Sequence, residues 1–167
     1  MRITSIELLL DASLEAAVRS EWQVLADARL SSLAAHTSAS NRPHVTLLVR
    51  EEVAQRTFAA PVAHLPLPLT LEPPSVFAHG DRGVLVRRVV VTPELADLHR
   101  EVHREAGPGD DKPHTRPGEW TPHVTLARRL RLADLDAATA ILGAELHGQA
   151  VGMRRWDAGT RTVTLLG

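Results

Sequence analysis

The chain has no cysteine and no tyrosine, and Lys112 is its only lysine. Without cysteine there is no disulfide scaffold, no thiolate zinc site and no cysteine nucleophile. Aromatic residues make up 3% of the sequence, as three Trp and two Phe, too few for a broad platform on which successive bases stack. No apolar run approaches the length of a bilayer span. The nearest, Ile3 to Leu10, is interrupted by Thr4, Ser5 and Glu7. It has neither a basic leader nor a small-residue cleavage site, so a soluble cytoplasmic protein with no membrane association is expected. Charge of one sign is also lacking. The 19 basic and 20 acidic side chains leave a formal net charge of −1, which excludes a grip on nucleic acid by bulk charge. Arginine supplies every other basic residue, and codon bias accounts for that ratio, although Arg can hold a phosphate through two parallel hydrogen bonds.

What is present is an ordinary globular balance. The 167 residues are 44% hydrophobic and 23% charged, which suits one domain spanning 1–167. Residues 2–10 read as a strand. Asp11 and Ser13 can cap a helix whose apolar positions Leu14, Val18, Trp22, Leu25, Ala28 and Leu33 follow helical spacing. Residues 36–41 break it, and a second strand runs from His44 to Val49. A short helix over 51–60, stopped by Pro61, comes next, then extended segments over 67–71, 76–78 and 84–91. Gly80-Asp81-Arg82-Gly83 has hairpin-turn chemistry. Thr92-Pro93-Glu94 starts a helix with a hydroxyl cap, a proline whose missing N–H costs nothing, and a carboxylate near the positive dipole end. Leu95, Leu98 and Val102 form its apolar stripe. A polar loop, 107–119, precedes a strand over 120–127. A helix over about 132–146, with Leu132, Leu135, Ala138, Leu142 and Leu146 on one face, precedes closing strands over 149–156 and 161–166. This alternation indicates α+β or α/β, and the hairpin signals favour largely antiparallel sheet.

One pattern rises above that background. Pro43-His44-Val45-Thr46-Leu47 recurs as Pro122-His123-Val124-Thr125-Leu126, 79 positions later and close to half the chain. Such spacing points to two related halves that pack together, an internal twofold repeat with motifs at 43–47 and 122–126. In a strand, residues two apart share a face, so His44 and Thr46 point one way while Val45, Leu47 and Val49 point the other. His123 and Thr125 stand likewise against Val124 and Leu126. Two imidazoles and two hydroxyls converging on one cleft suit acid–base chemistry on a phosphate ester. A neutral His takes a proton from the nucleophile, a protonated His gives one to the leaving oxygen, and the Thr hydroxyls hold non-bridging oxygens. That chemistry needs no metal or other cofactor. Duplicated architecture alone would repeat the hydrophobic pattern without keeping a polar His and Thr together.

On these residues the sequence resembles the 2H phosphoesterase superfamily, whose members carry two His-x-Thr motifs. Within it the chain looks like the RNA 2',3'-cyclic phosphodiesterases, also called 2'-5' RNA ligases. The resemblance covers most of the chain. It is strongest over Thr92-Pro93-Glu94-Leu95, Leu98-His99 and the run Trp120-Thr121-Pro122-His123-Val124-Thr125-Leu126-Ala127-Arg128. The first motif departs from the nearest bacterial members, since Val49-Arg50-Glu51-Glu52 follows it in place of Phe-Leu-Gly. The resemblance implies an α+β fold of two pseudo-symmetric lobes, with mostly antiparallel sheet, helices on the outer faces and a central cleft. It implies hydrolysis of 2',3'-cyclic phosphates at RNA ends or in nucleotides to 2'-phosphates, with 2'-5' joining as the reverse reaction. By the same analogy His123 activates water and His44 protonates the leaving 3'-oxygen, an order that the residues themselves leave open. Arg128 matches an arginine that binds phosphate in the family, but strict alternation from His123 turns it to the opposite face unless a bulge intervenes.

The remaining candidates are weaker. His99 and His103, one helical turn apart, read as a solvated helix flank, because a metal site needs a third ligand. Loop 107–119 carries Lys112, His114 and Arg116, which could supply local positive charge to an RNA end, offset by Asp110 and Asp111. Trp120 could stack on a base, although a Trp opening a strand more often packs in a core. Arg42 could reach phosphate. Two other functions stay open: a non-catalytic module that binds RNA ends or nucleotides, and a phosphodiesterase for another cyclic phosphate such as an ADP-ribose derivative. The expected partner is a small cyclic nucleotide or RNA end, and the expected state a monomer.

Overall fold

The computed structural model describes residues 2–167. Its elements, in order, are β1 (Thr4–Leu10), α1 (Ala12–Asp27), β2 (His44–Arg50), α2 (Ala59–Val62), β3 (Leu67–His79), β4 (Arg82–Val89), α3 (Pro93–Ala106), β5 (His123–Arg131), α4 (Leu135–Ala140), β6 (Leu146–Asp157) and β7 (Thr162–Leu166). The strand pairings are antiparallel and join in one sheet of order β2–β1–β6–β3–β4–β5, with β7 also on β6. This is the α+β architecture expected. One lobe holds β1, β2, β7 and the later part of β6, and the other holds β3, β4 and β5. The early part of β6, Leu146 to Ala150, pairs with β3 and joins the lobes. Strands β2 and β5, at opposite ends of the strand order, touch each other, so the two copies of the repeated motif become neighbours.

Local chemistry explains the element ends. All seven residues of β1 are buried, as for a strand flanked on both edges and covered on both faces. Asp11 stops it and caps α1: its Oδ1 accepts from the Leu14 N–H (2.8 Å) and its Oδ2 from the Gln149 N–H (2.6 Å). The Leu14 bond, ahead of the other backbone donors, holds the Asp11 carboxyl below the usual range. Thr92 caps α3 through the Leu95 N–H (3.2 Å), with Pro93 in the first position; such a cap contributes about 1 kcal/mol. Gly80, at φ 64, and Asp81 make the turn from β3 to β4.

A buried arginine fastens α1 to the second lobe. Arg87 on β4 is fully buried, and all five of its N–H groups are used. Two donate to the Glu21 carboxylate on α1, both at 2.7 Å, and three to the carbonyls of Glu72, Gly143 and Ala144. Removing one partner of such a pair leaves a bare buried charge and costs about 3–5 kcal/mol.

The structure corrects several element expectations. α1 stops at Asp27, Arg29 takes a positive φ of 61, and Leu33 belongs to a separate 3₁₀ turn, Leu33–Ala35. The helix expected over 51–60 is confined to Ala59–Val62; Pro61 lies inside its first turn, where a missing N–H is harmless. Segments 67–71 and 76–78 are one strand, interrupted by a register shift between Leu71 and Pro74, since Pro73 and Pro74 cannot donate to a ladder. The helix expected over 132–146 reduces to a 3₁₀ turn, Leu132–Asp134, and α4. Leu146 pairs with Leu71 instead, and Arg87 takes the Gly143 and Ala144 carbonyls, so sheet pairing and a buried cation outweigh the helical period. No helix among the described residues is long and apolar enough to cross a membrane.

Candidate functional site

The two motifs share an irregularity that alternation could not foretell. On β2, Ile6 pairs with Leu48 and Glu7 with Thr46, so Leu47 is an extra residue. On β5, Leu85 pairs with Ala127 and Val86 with Thr125, so Leu126 is extra. The leucine of each repeat is therefore the inserted residue of a bulge, and a bulge re-aims the side chains beyond it. Val49 is thereby brought round to the face of His44 and Thr46, opposite Ser5, which corrects the simple alternation. By the same step Arg128 comes round to the face of His123. The bulge that a phosphate-binding Arg128 requires is present. Arg128 lines a cleft of about 240 Å³ together with His44, Glu7, His36, Asn41 and Arg154. A larger hollow of about 770 Å³ beside the end of α1 shares His36 and Arg128 with it.

The two imidazoles are held alike and surrounded differently. His44 Nδ1–H donates to the Arg42 carbonyl at 2.7 Å, and His123 Nδ1–H to the Thr121 carbonyl at 2.8 Å. With Nδ1 used in this way, Nε2 of each ring is left for chemistry. Burial pushes the His123 pKa below the ordinary histidine value, against the Thr121 bond, and the positive charges of His114, His44 and Arg88 push it the same way. His123 is further braced by Phe77, whose ring meets it edge-on at 5.1 Å, while the Arg88 guanidinium lies 4.9 Å from the Phe77 centroid. His44 Nε2 instead lies 3.0 Å from Oε2 of the buried Glu7.

Behind each motif an indole from elsewhere in the chain supports the edge strand. Trp120 Nε1–H donates to the Thr46 carbonyl (2.9 Å), and Trp22 Nε1–H on α1 donates to the Thr125 carbonyl (3.1 Å). The supports are crossed: the residue beside motif two holds motif one, and a helix that follows β1 holds motif two. Trp120 in turn stacks face to face on His99 at 3.9 Å. His99 and His103 are buried, at 3% and 8% exposure, which corrects the solvated-flank expectation. His99 Nε2–H donates to the Thr115 carbonyl, and His103 Nε2–H to the carbonyl of Leu47, the bulge residue (both 3.0 Å). Desolvation first, then the neighbouring His103, lowers the His99 pKa to about 4.

The sequence model of the 2'-5' RNA ligase superfamily matches residues 14–160. The chain belongs to that superfamily, a group of 2H phosphoesterases. Among solved structures, E. coli LigT in apo form superposes with a TM-score of 0.57 at 14% identity, covering 99% of this chain and 95% of LigT. TT0787 of Thermus thermophilus gives 0.57 at 17% identity, covering 100% and 96%. E. coli LigT complexed with 3'-AMP gives 0.54 at 15% identity, covering 99% and 95%. At such identities the likeness is one of fold. No curated protein matches the sequence.

On this 2'-5' RNA ligase superfamily fold, the other sequence candidates separate by what their side chains already do. Arg42 is paired with Glu15, Nε to Oε1 at 2.5 Å. The Trp120 N–H and one ring face are committed to Thr46 and His99. Arg116 donates to the Asp111 carbonyl and pairs with Glu119. Lys112 anchors its loop by donating its backbone N–H to the Val49 carbonyl. Loop 107–119 is docked on the back of β2, because Arg50 reaches both Asp111 and the Gly107 carbonyl at 2.7 Å. None of these four lines the cleft beside His44. The sequence reading missed Glu7, Arg154, Phe77 and Arg88. A signal existed for Glu7: a carboxylate in the middle of an apolar strand requires a buried partner.

Proposed function

We propose that this chain is a 2H-type cyclic phosphodiesterase that hydrolyses 2',3'-cyclic phosphates, at RNA ends or in nucleotides, to 2'-phosphates by two-histidine acid–base catalysis without a metal. The observation that carries this reading is the pair of matched, bulged His-x-Thr strands in contact, whose imidazoles have unlike surroundings. His123, disposed to be neutral and with Nδ1 engaged, acts as base. Its Nε2 takes a proton from water as the water oxygen bonds to phosphorus. The bond from phosphorus to the 3'-oxygen breaks, and that oxygen takes a proton from His44 Nε2. His123 leaves the step protonated and His44 neutral, and exchange with solvent restores both. Thr46, Thr125 and Arg128 hold the non-bridging oxygens, where negative charge concentrates during attack. The LigT complex with 3'-AMP supports a nucleotide phosphate as a ligand suited to this fold.

The decisive experiment incubates the protein, in EDTA, with 2',3'-cyclic nucleotides, oligonucleotides ending in a cyclic phosphate, and an ADP-ribose cyclic phosphate, with products identified by phosphorus NMR. The expected result is a 2'-phosphate from the nucleotide or RNA substrates, with a bell-shaped dependence on pH. Saturable binding with no turnover would establish the binding-module alternative. Turnover confined to the ADP-ribose derivative would reassign the substrate, and turnover abolished by EDTA would overturn metal independence.

A further inference from the structure

We propose that Glu7 is a positioning residue that loads and holds the acid proton on His44, with Arg154 keeping the carboxylate in place. This rests on the two-histidine reading above and adds a third group to it. The register sets Thr46 on β2, Glu7 on β1 and Arg154 on β6 side by side in one cross-strand row. Glu7 is 2% exposed and Arg154 4%. Charges so deeply placed persist in a fold only when they are paired. Arg154 Nε lies 3.4 Å from Glu7 Oε1, neither atom has a hydrogen-bond partner, and another guanidinium nitrogen of Arg154 donates to the Ser40 carbonyl. The pair is thus anchored through Arg154 and leaves Glu7 Oε2 for His44.

The ring of His44 then faces an acceptor at both nitrogens: the Arg42 carbonyl at Nδ1 and Glu7 Oε2 at Nε2. A neutral ring protonated at Nδ1 would direct the Nε2 lone pair at a carboxylate oxygen 3.0 Å away. An imidazolium makes both contacts attractive. The charged and titratable groups facing this pair are Arg154 from β6, Arg128 and His123 from β5, and His36 from the segment before β2. All of these are cations or become cations on protonation, so they oppose a positive His44. Glu7 is the one carboxylate among the described residues lining the cleft. The corresponding position in the other lobe, opposite Thr125, is Val86. The device therefore belongs to one half of the site and is no general need of the fold.

The test is Glu7→Gln, which keeps the shape and removes the charge. His44 is followed by side-chain NMR against pH in the ligand-free protein, and kcat/KM for a 2',3'-cyclic nucleotide is measured over the same range. The expected result is loss of the His44 proton at lower pH than in the wild type. The alkaline limb of the rate profile should move acidward by about one pH unit, and the acid limb should stay in place. At pH 8 activity then falls about tenfold, while at pH 6 it changes little. Because Glu7→Gln alone strands Arg154, the double variant Glu7→Gln/Arg154→Met removes both buried charges, and the same displaced alkaline limb is expected from it. A His44 titration unchanged in both variants would overturn the proposal. Should the wild-type protein hydrolyse no cyclic phosphate, the NMR titration still decides the Glu7–His44 coupling, so the two failures are distinguishable.

Discussion

Strands β2 and β5 open with the same four residues after a proline, and share the same bulged leucine, the same Nδ1 bond to the carbonyl two residues back, and the same indole donor behind the threonine. Their neighbours differ. Beside Thr46 stands Glu7 and then Arg154; beside Thr125 stand Val86 and Ser75. Beside His44 is the apolar Leu9, and beside His123 is Arg88. A repeated backbone motif therefore sits on two strands in contact, and unlike side chains on adjacent strands surround the two imidazoles. The repeated element supplies the geometry, and what packs against it supplies each ring's surroundings.

Replacing the histidines strikes hardest at this contrast. His44→Ala and His123→Ala should each lower kcat/KM by about 10²–10⁴-fold, the usual scale of a general acid or base. They should differ in shape: loss of the base removes the acid limb of the pH profile, and loss of the acid removes the alkaline limb. Because burial and nearby cations lower the His123 pKa, the wild-type acid limb should lie below the ordinary histidine value of about 6.5. Two variants that lose the same limb would break the comparison.

A smaller effect separates the supports. Trp22 is 3% exposed within the apolar core, whereas Trp120 leans on His99, whose pKa is lowered to about 4. Between pH 6.5 and that value the unfolded chain binds a proton at His99 that the folded chain refuses. Stability is therefore fully present above the unfolded pKa and falls as the pH drops through this window, by about 3 kcal/mol over its full span. Denaturant melts at pH 7 and pH 4.5 should show that loss, and His99→Leu should flatten it. An equal slope in that variant would mean the acid sensitivity lies elsewhere.

The smallest effect should come from the indole donors. Trp120→Phe and Trp22→Phe each leave one carbonyl without its partner, worth about 1 kcal/mol in thermal stability. Each should also lower kcat a few-fold by loosening the opposite motif, a readout that sharpens the crossed arrangement: Trp22→Phe should act on the His123 half and Trp120→Phe on the His44 half.

The catalytic candidates and much of the fold were legible because they are local. Asp11 and Thr92 cap helices through bonds three residues away, Gly80 and Asp81 turn a hairpin, and the repeated Pro-His-Val-Thr-Leu announces itself as a string. Elements failed where distant partners intervened, as when β3 claimed Leu146 and Arg87 claimed the carbonyls before it. His99 and His103 were misplaced for the same reason: helical spacing places them on a flank, but the chain returns loop 107–119 and Trp120 over that flank.

By itself the sequence determined the His and Thr of each motif, the strands that carry them and the antiparallel α+β class, since these rest on residue identity and short-range periodicity. Only the tertiary structure decided that both leucines bulge, that Arg128 thereby turns to the histidine face, and that Glu7 and Arg154 flank Thr46. Those depend on register between strands far apart in the chain. A shift of one residue there exchanges the buried face for the one that carries the histidine and threonine, and no local pattern records it.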